Sequence, residues 1–184
     1  MKNRCFAFKL LVMTTTGIVF GGLGMNVTGS ELSSQERSYS WGESKEGFLL
    51  GINVEKQSVS VRDPVILNVV LKNISDTPLP LVQTRPENDY RVSVHYENGE
   101  AVPLTLYGKR LDSIRGEVRR RTTVTLAPNE ALEHHLHIDR LFDMSLTGKY
   151  FIKVTRTMLT RGTNGFADLE SNRLCITVMD SARQ

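Results

Sequence analysis

Beyond residue 47 the chain alternates apolar and polar positions with the two-residue period of a half-buried strand. Phe48, Leu50, Ile52 and Val54 share one face, and Val59 and Val61 resume the alternation after Lys56-Gln57-Ser58. Asp63-Pro64 marks a turn, and Val65, Leu67, Val69 and Leu71 predict a second long strand ending at Asn73-Ile74-Ser75-Asp76. Pro78 and Pro80 lack a backbone donor, so that stretch is expected to be irregular or an edge. Tyr90, Val92, Val94 and Tyr96 form the next strand. Asn98-Gly99 predicts a hairpin whose return strand carries Val102, Leu104 and Leu106.

Thr122 to Leu126 is a short strand. Leu132, His134, Leu136 and Ile138 share a face, as do Tyr150, Ile152 and Val154, with turn pairs at Pro128-Asn129 and Thr147-Gly148. These two strands are expected to be a sandwich edge and its neighbour. Leu174, Ile176 and Val178 close the chain. Tyr107–Arg121 and Thr160–Asn172 lose the period and read as loops, the first with room for a helical turn. About eight or nine strands and no long helical pattern predict an all-β fold, an immunoglobulin-like antiparallel β-sandwich. In such folds a tyrosine opening a late strand pins a corner through its hydroxyl, and Tyr150, after Gly148, is placed for that role.

The first 29 residues depart from this pattern. Lys2, Arg4 and Lys9 precede an apolar run from Leu10 to Leu23, and Val27-Thr28-Gly29 suits a signal peptidase. The run is short for a membrane span and is diluted by threonines and glycines. Residues 1–29 are therefore expected to be a signal peptide cleaved near Gly29–Ser30, leaving no transmembrane span in a mature protein that is secreted or periplasmic. Residues 30–46 form a polar lead-in whose Trp41 is expected to fold back on the domain, and 47–180 form the sandwich.

Removing the leader changes the charge. The chain of 184 residues has 23 basic and 20 acidic side chains, but three of the basic ones are Lys2, Arg4 and Lys9. The mature protein is then formally neutral, which argues against nucleic acid as a partner. Of two cysteines, Cys5 lies in the leader, so Cys175 has no intramolecular disulfide partner.

Candidate chemistry is sparse. His135 and His137 share a strand face and could hold copper or zinc if other strands added ligands, with His95 and Glu133 as the available extras; His134 points to the core edge. Two ligands alone leave a metal mostly to water, so neither a metal nor a cofactor is expected. Arg119, Arg120 and Arg121 could meet an anionic partner, although adjacent strand residues cannot all face one way. Cys175 lies opposite the core-directed residues, with no base beside it in sequence. Asn73-Ile74-Ser75 matches a glycosylation acceptor, meaningful only in a eukaryotic source. No nucleophile elbow, H-E-x-x-H or phosphate-cradling glycine loop is present.

Two stretches resemble known proteins. LNVVLKNISDTPLP, Leu67 to Pro80, and YRVSVHYENGEAV, Tyr90 to Val102, with Leu126-Ala127-Pro128-Asn129-Glu130 and Gly148-Lys149-Tyr150, resemble bacterial exported immunoglobulin-like domains. They are distantly similar to the bacterial intracellular proteinase inhibitor family. That resemblance implies a non-enzymatic role, binding a protein or a cell-envelope component. Two alternatives stand beside it: a protease inhibitor using Tyr107–Arg121 as bait, and a periplasmic metal binder using the histidine strand.

Overall fold

The computed structural model describes residues 38–115, 121–160 and 165–180. The predicted signal peptide and most of the lead-in lie outside them. Among the described residues no helix is long and apolar enough to cross a membrane.

The described chain is mostly β. In order, its elements are β1 (Ser40–Trp41), β2 (Phe48–Val54), β3 (Ser58–Ser60), β4 (Ile66–Asn73), β5 (Leu79–Gln83), α1 (Pro86–Asp89) and β6 (Arg91–Tyr96). They continue with α2 (Leu106–Ser113), β7 (Thr122–Leu126), β8 (Ala131–His137), α3 (Ile138–Leu141), β9 (Gly148–Leu159), β10 (Phe166–Glu170) and β11 (Leu174–Met179). One sheet runs β1-β2-β4-β8. The second is built on β9, which pairs with β11 over 148–152, with β6 over 150–155 and with β10 over 155–159. β3 joins it parallel to β11, and β5 with β7 forms a small third sheet.

Leu50, Ile52, Leu67, Val69 and Leu136 of the first sheet share one buried cluster with Val94, Tyr150, Ile152, Val154 and Ile176 of the second. A single apolar core between two sheets makes the fold sandwich-like. The alternation predicted from sequence is the burial pattern observed on β2 and β9, whereas β4, in the middle of its sheet, is buried on both faces from Leu67 to Leu71.

Several expectations are corrected. β8 and β9 are not neighbours: β8 is the edge of the first sheet and β9 organises the second, with α3 between them. The predicted return strand after Asn98-Gly99 is only begun. Gly99, at φ +90°, makes the turn, His95 bridges Ala101, and Val102 N–H donates to Val94 O. Pro103 then offers no donor, and Thr105 caps α2 by accepting from Gly108 N–H. Leu106, expected on a strand face, is 87% exposed. Residues 107–121, read as a loop, therefore open as helix; Gly108 packs so tightly on Leu141 O that a side chain there would clash. Residues 166–170, also read as loop, are β10, whose only fully buried side chain is Leu169. The expectation of a purely antiparallel sandwich fails at β3 with β11.

The end of the lead-in is attached. Trp41 pairs with Gly51 and its ring lies where a residue-51 side chain would be, beside Tyr39. Lys45 Nζ donates to Asp168 O. Asn73, a candidate glycosylation acceptor by sequence, is fully buried. Its Nδ2 donates to Thr77 O, Leu126 O and Ala127 O, and its Oδ1 accepts from Ser75 N–H and Oγ.

Tyr150 is fully buried and its hydroxyl donates to Leu146 O at 2.6 Å, the expected corner. Tyr150→Phe should cost about 1 kcal/mol through one lost bond and a stranded carbonyl. Tyr150→Ala should cost about 3–5 kcal/mol by truncating a buried aromatic. Equilibrium urea unfolding measures both; wild-type midpoints for the two variants would mean the corner is dispensable.

Asn73 gives a second test. Asn73→Ala strands three carbonyls and should cost about 3 kcal/mol. Asn73→Asp should cost at least as much, because it sets a buried carboxylate against carbonyl oxygens. If the Asp variant unfolds at the wild-type midpoint, the carbonyl contacts carry no stability.

Candidate functional site

Strand alternation continues past Val154. Tyr150, Ile152, Val154, Arg156 and Met158 all face inward on β9. Arg156 is thus a cation at a core position, 3% exposed. Its Nη2 donates to Val82 O at 2.9 Å and lies 3.5 Å from Asp89 Oδ2. Its guanidinium carbon stands 4.9 Å from the centre of the Tyr90 ring. Pro86, with no N–H to lose, starts α1 and brings Asp89 back toward β5. Thr84 then fixes Asp89, its N–H donating to both carboxylate oxygens at 3.0 Å and its hydroxyl to Oδ1 at 2.5 Å.

Tyr90, also buried, contacts His134 of β8 with ring centres 5.7 Å apart. Arg115 Nη1 donates to Tyr90 O at 3.4 Å. Around this corner collect the buried polar side-chain atoms that lack a hydrogen-bond partner among the described residues. They are Gln83 Nε2, Asn88 Oδ1, Tyr90 Oη, Arg115 Nε, His134 Nε2 and Arg156 Nη1. Two of these have weaker company, Arg115 Nε with Asp112 Oδ1 at 3.5 Å and the Tyr90 hydroxyl with the Arg156 side chain, so the corner is a buried polar cluster in or against residues 83–90.

The corner borders a cavity of about 480 Å³. Leu79, Leu81 and Met158 form its apolar wall. Leu159 and Phe166, cross-strand partners on β9 and β10, stand largely exposed at its rim. Four arginines line it, Arg91, Arg115, Arg121 and Arg156, against two acids, Glu46 and Asp89. Burial pushes the Tyr90 hydroxyl above its ordinary value, against the opposing pull of Arg156. Burial lowers Arg115, with Asp112 opposing and Arg91 adding to the effect.

Of the arginine run, Arg121 lines the cavity, while Arg119 and Arg120 lie outside the described residues. The histidines are not brought together. His135 Nδ1 is 2.6 Å from Asn68 Oδ1 on the outer face of the first sheet, and His137 Nδ1 is 4.0 Å from Asp139 Oδ1. His95 sits on the second sheet opposite Phe151. Glu133 Oε1 accepts from Tyr39 Oη. Among the described residues no group of three His, Cys, Asp or Glu side chains could hold a metal ion. Cys175 is half-buried on β11, opposite Phe151. Sequence reasoning missed Arg156 because the alternation was followed only to Val154; two more steps reach it.

No protein-family model matches this sequence, and no curated protein does. Among solved structures, the chain is similar to the C-terminal domain of Wzt, with 11% identity, 80% of each chain covered and a TM-score of 0.46. It is similar to a CARDB domain from Pyrococcus furiosus crystallised with di-metal ions, with 17% identity over 76% of this chain and all of that one, TM-score 0.34. It also matches 16% of a β-glucosidase from Erythrobacter marinus, with 16% identity over 78% of this chain, TM-score 0.36. These likenesses carry no argument about function, and the fold is read from the chain's own sheets.

His134 makes the corner sensitive to pH. Burial lowers its pKa, Arg156 and His135 push the same way, and Asp89 and Glu87 oppose. The unfolded chain takes up this proton near pH 6.5, the folded one only lower. Below about pH 6.5 the unfolded state therefore binds more protons, and stability falls with pH until the folded value is passed. His134→Gln should flatten the decline in urea midpoint between about pH 7.5 and 5. Equal slopes for the two proteins would show that His134 titrates alike folded and unfolded.

Proposed function

We propose that this is an exported, non-enzymatic binding protein of the cell envelope or extracellular space, secreted or periplasmic, whose site is the cavity beside Arg156. The observation that carries this reading is a cavity walled by Leu79, Leu81 and Met158 whose lining residues include the buried, Asp89-paired Arg156. A volume of about 480 Å³ lies within the range of about 300–1,000 Å³ usual for ligand sites. Export is supported by the charged start, apolar run and Val27-Thr28-Gly29. An immunoglobulin-like relationship is supported by the paired sheets around one core and by the Tyr150 corner.

Of the Tyr107–Arg121 bait of the inhibitor alternative, residues up to Ser113 are helical and 116–120 lie outside the described residues. The metal alternative needs His95 near His135, and they lie on different sheets.

Two measurements test the proposal. The exported form should have an intact mass corresponding to an N-terminus near Ser30; an unprocessed chain would refute export. An uncharged apolar probe, octanol, should shift the nuclear magnetic resonances of Leu81, Met158 and Phe166 together. Shifts scattered over the surface, or none, would remove the cavity as the binding site.

A further inference from the structure

Resting on that reading of the cavity, we propose that its partner is an extended, acidic peptide segment of another protein, which adds a strand to the free edge of β9. Main-chain bonds show which side of β9 is free. Val154 O accepts from Ser171 N–H, and Thr160 N–H donates to Gly165 O, so the even-numbered residues of β9 turn their peptide groups toward β10. The odd-numbered ones turn theirs the other way. There β6 receives them at Phe151, Lys153 and Thr155, and its pairing ends with Arg91 opposite Thr155. Thr157 and Leu159 continue the same row, and among the described residues no strand pairs with that side of them. Both line the cavity. A strand laid there would continue the line of β6 and take up the N–H and C=O groups of two residues.

The surroundings set the side chains of such a strand. Arg156 and Met158 are the inward positions of the overhang, and Leu79 and Leu81 line the same cavity. A side chain opposite Met158 therefore enters an apolar space, and Arg156, already paired with Asp89, needs no counter-charge from it. The alternate side chains of the added strand point outward. Arg91 and Arg121 are exposed lining residues, and among the described residues neither is in an ion pair. Arg91 stands on the outer row of β6, so the outward side chain opposite Thr157 lies about 7 Å further along the same line. Acidic side chains there complement both arginines. A second copy of this chain would set these arginines against their own counterparts, so charge favours an acidic partner over self-pairing.

The test uses the full chain and three blocked hexapeptides: alternating Glu and Val, alternating Lys and Val, and the Glu peptide N-methylated at its Glu residues, whose N–H groups would face β9. Nuclear magnetic resonance follows binding and the exchange of single amide protons. The Glu peptide should slow exchange at Thr157 and Leu159 and bind about tenfold tighter than the Lys peptide. N-methylation should weaken it about tenfold. Arg91→Gln and Arg121→Gln, both at exposed positions, should each weaken the Glu peptide about threefold. Equal binding of the Glu and Lys peptides overturns the acidic partner. Binding that leaves the Thr157 and Leu159 amides exchanging as before overturns strand addition. Protection of those amides in the protein alone, rising with its concentration, makes a second copy the occupant and overturns the peptide. If octanol shifts Leu81 and Met158 but no peptide binds, this inference falls and the cavity reading stands; if neither binds, both fall.

Discussion

A cation placed by strand geometry inside an otherwise apolar sandwich constrains the corner of the molecule around it. Once Tyr150, Ile152 and Val154 face the core, side-chain alternation leaves Arg156 no other direction. An uncompensated buried guanidinium costs several kcal/mol, so neighbouring elements must answer it. β5 presents the Val82 carbonyl, α1 returns Asp89, and Tyr90 offers its ring face. Thr84 in turn holds Asp89, so the turn from β5 into α1 is set by the charge it serves. Nη2 carries the bond to Val82 O and the pairing with Asp89, and the side chain also lines the cavity. Folding and the candidate site thus draw on the same side chain.

Elsewhere polar side chains take up main-chain groups where the ladders stop. Tyr150 closes the turn entering β9, and Asn73 ties the end of β4 to the turn between β7 and β8. Ser171, between β10 and β11, donates its N–H to Val154 O and accepts from Val154 N–H through Oγ. In each case a buried backbone donor or acceptor that no strand reaches is matched by a side chain.

Much of the burial along the strands was legible from alternation, because on β2 and β9 one face meets the core and the other does not, whereas β4 is covered on both faces. What alternation could not supply was partnership. Nothing in the sequence separates β8 and β9 into different sheets, since that depends on which strands lie opposite. β10 was invisible because only Leu169 of its five residues is fully buried; the length of β9 recruits it, not its own pattern. Helix α2 was legible only as room for a helical turn, because Thr105 and the tight seat of Gly108 on Leu141 matter more there than apolar spacing. The cavity was missed for a related reason: its cation stands where a hydrophobic residue was expected, and its companions come from α1, β5 and β8.

The position of the cavity follows from the unequal lengths of the strands. β9 has twelve residues, but β11 covers it only to Ile152 and β6 only to Thr155. Beyond that point β10 is its sole strand partner among the described residues. The inward row therefore runs on, through Arg156 and Met158, past the part of the sheet that β6 and β11 complete. At the other end Tyr150 meets Leu146 O, Tyr96 packs on its ring, and the interior closes. At this end Tyr90 reaches from His134 on the first sheet to Arg156 on the second, and β5 borders the opening that remains. A sandwich with one strand longer than its partners opens at the overhang, and here the overhang carries the charge.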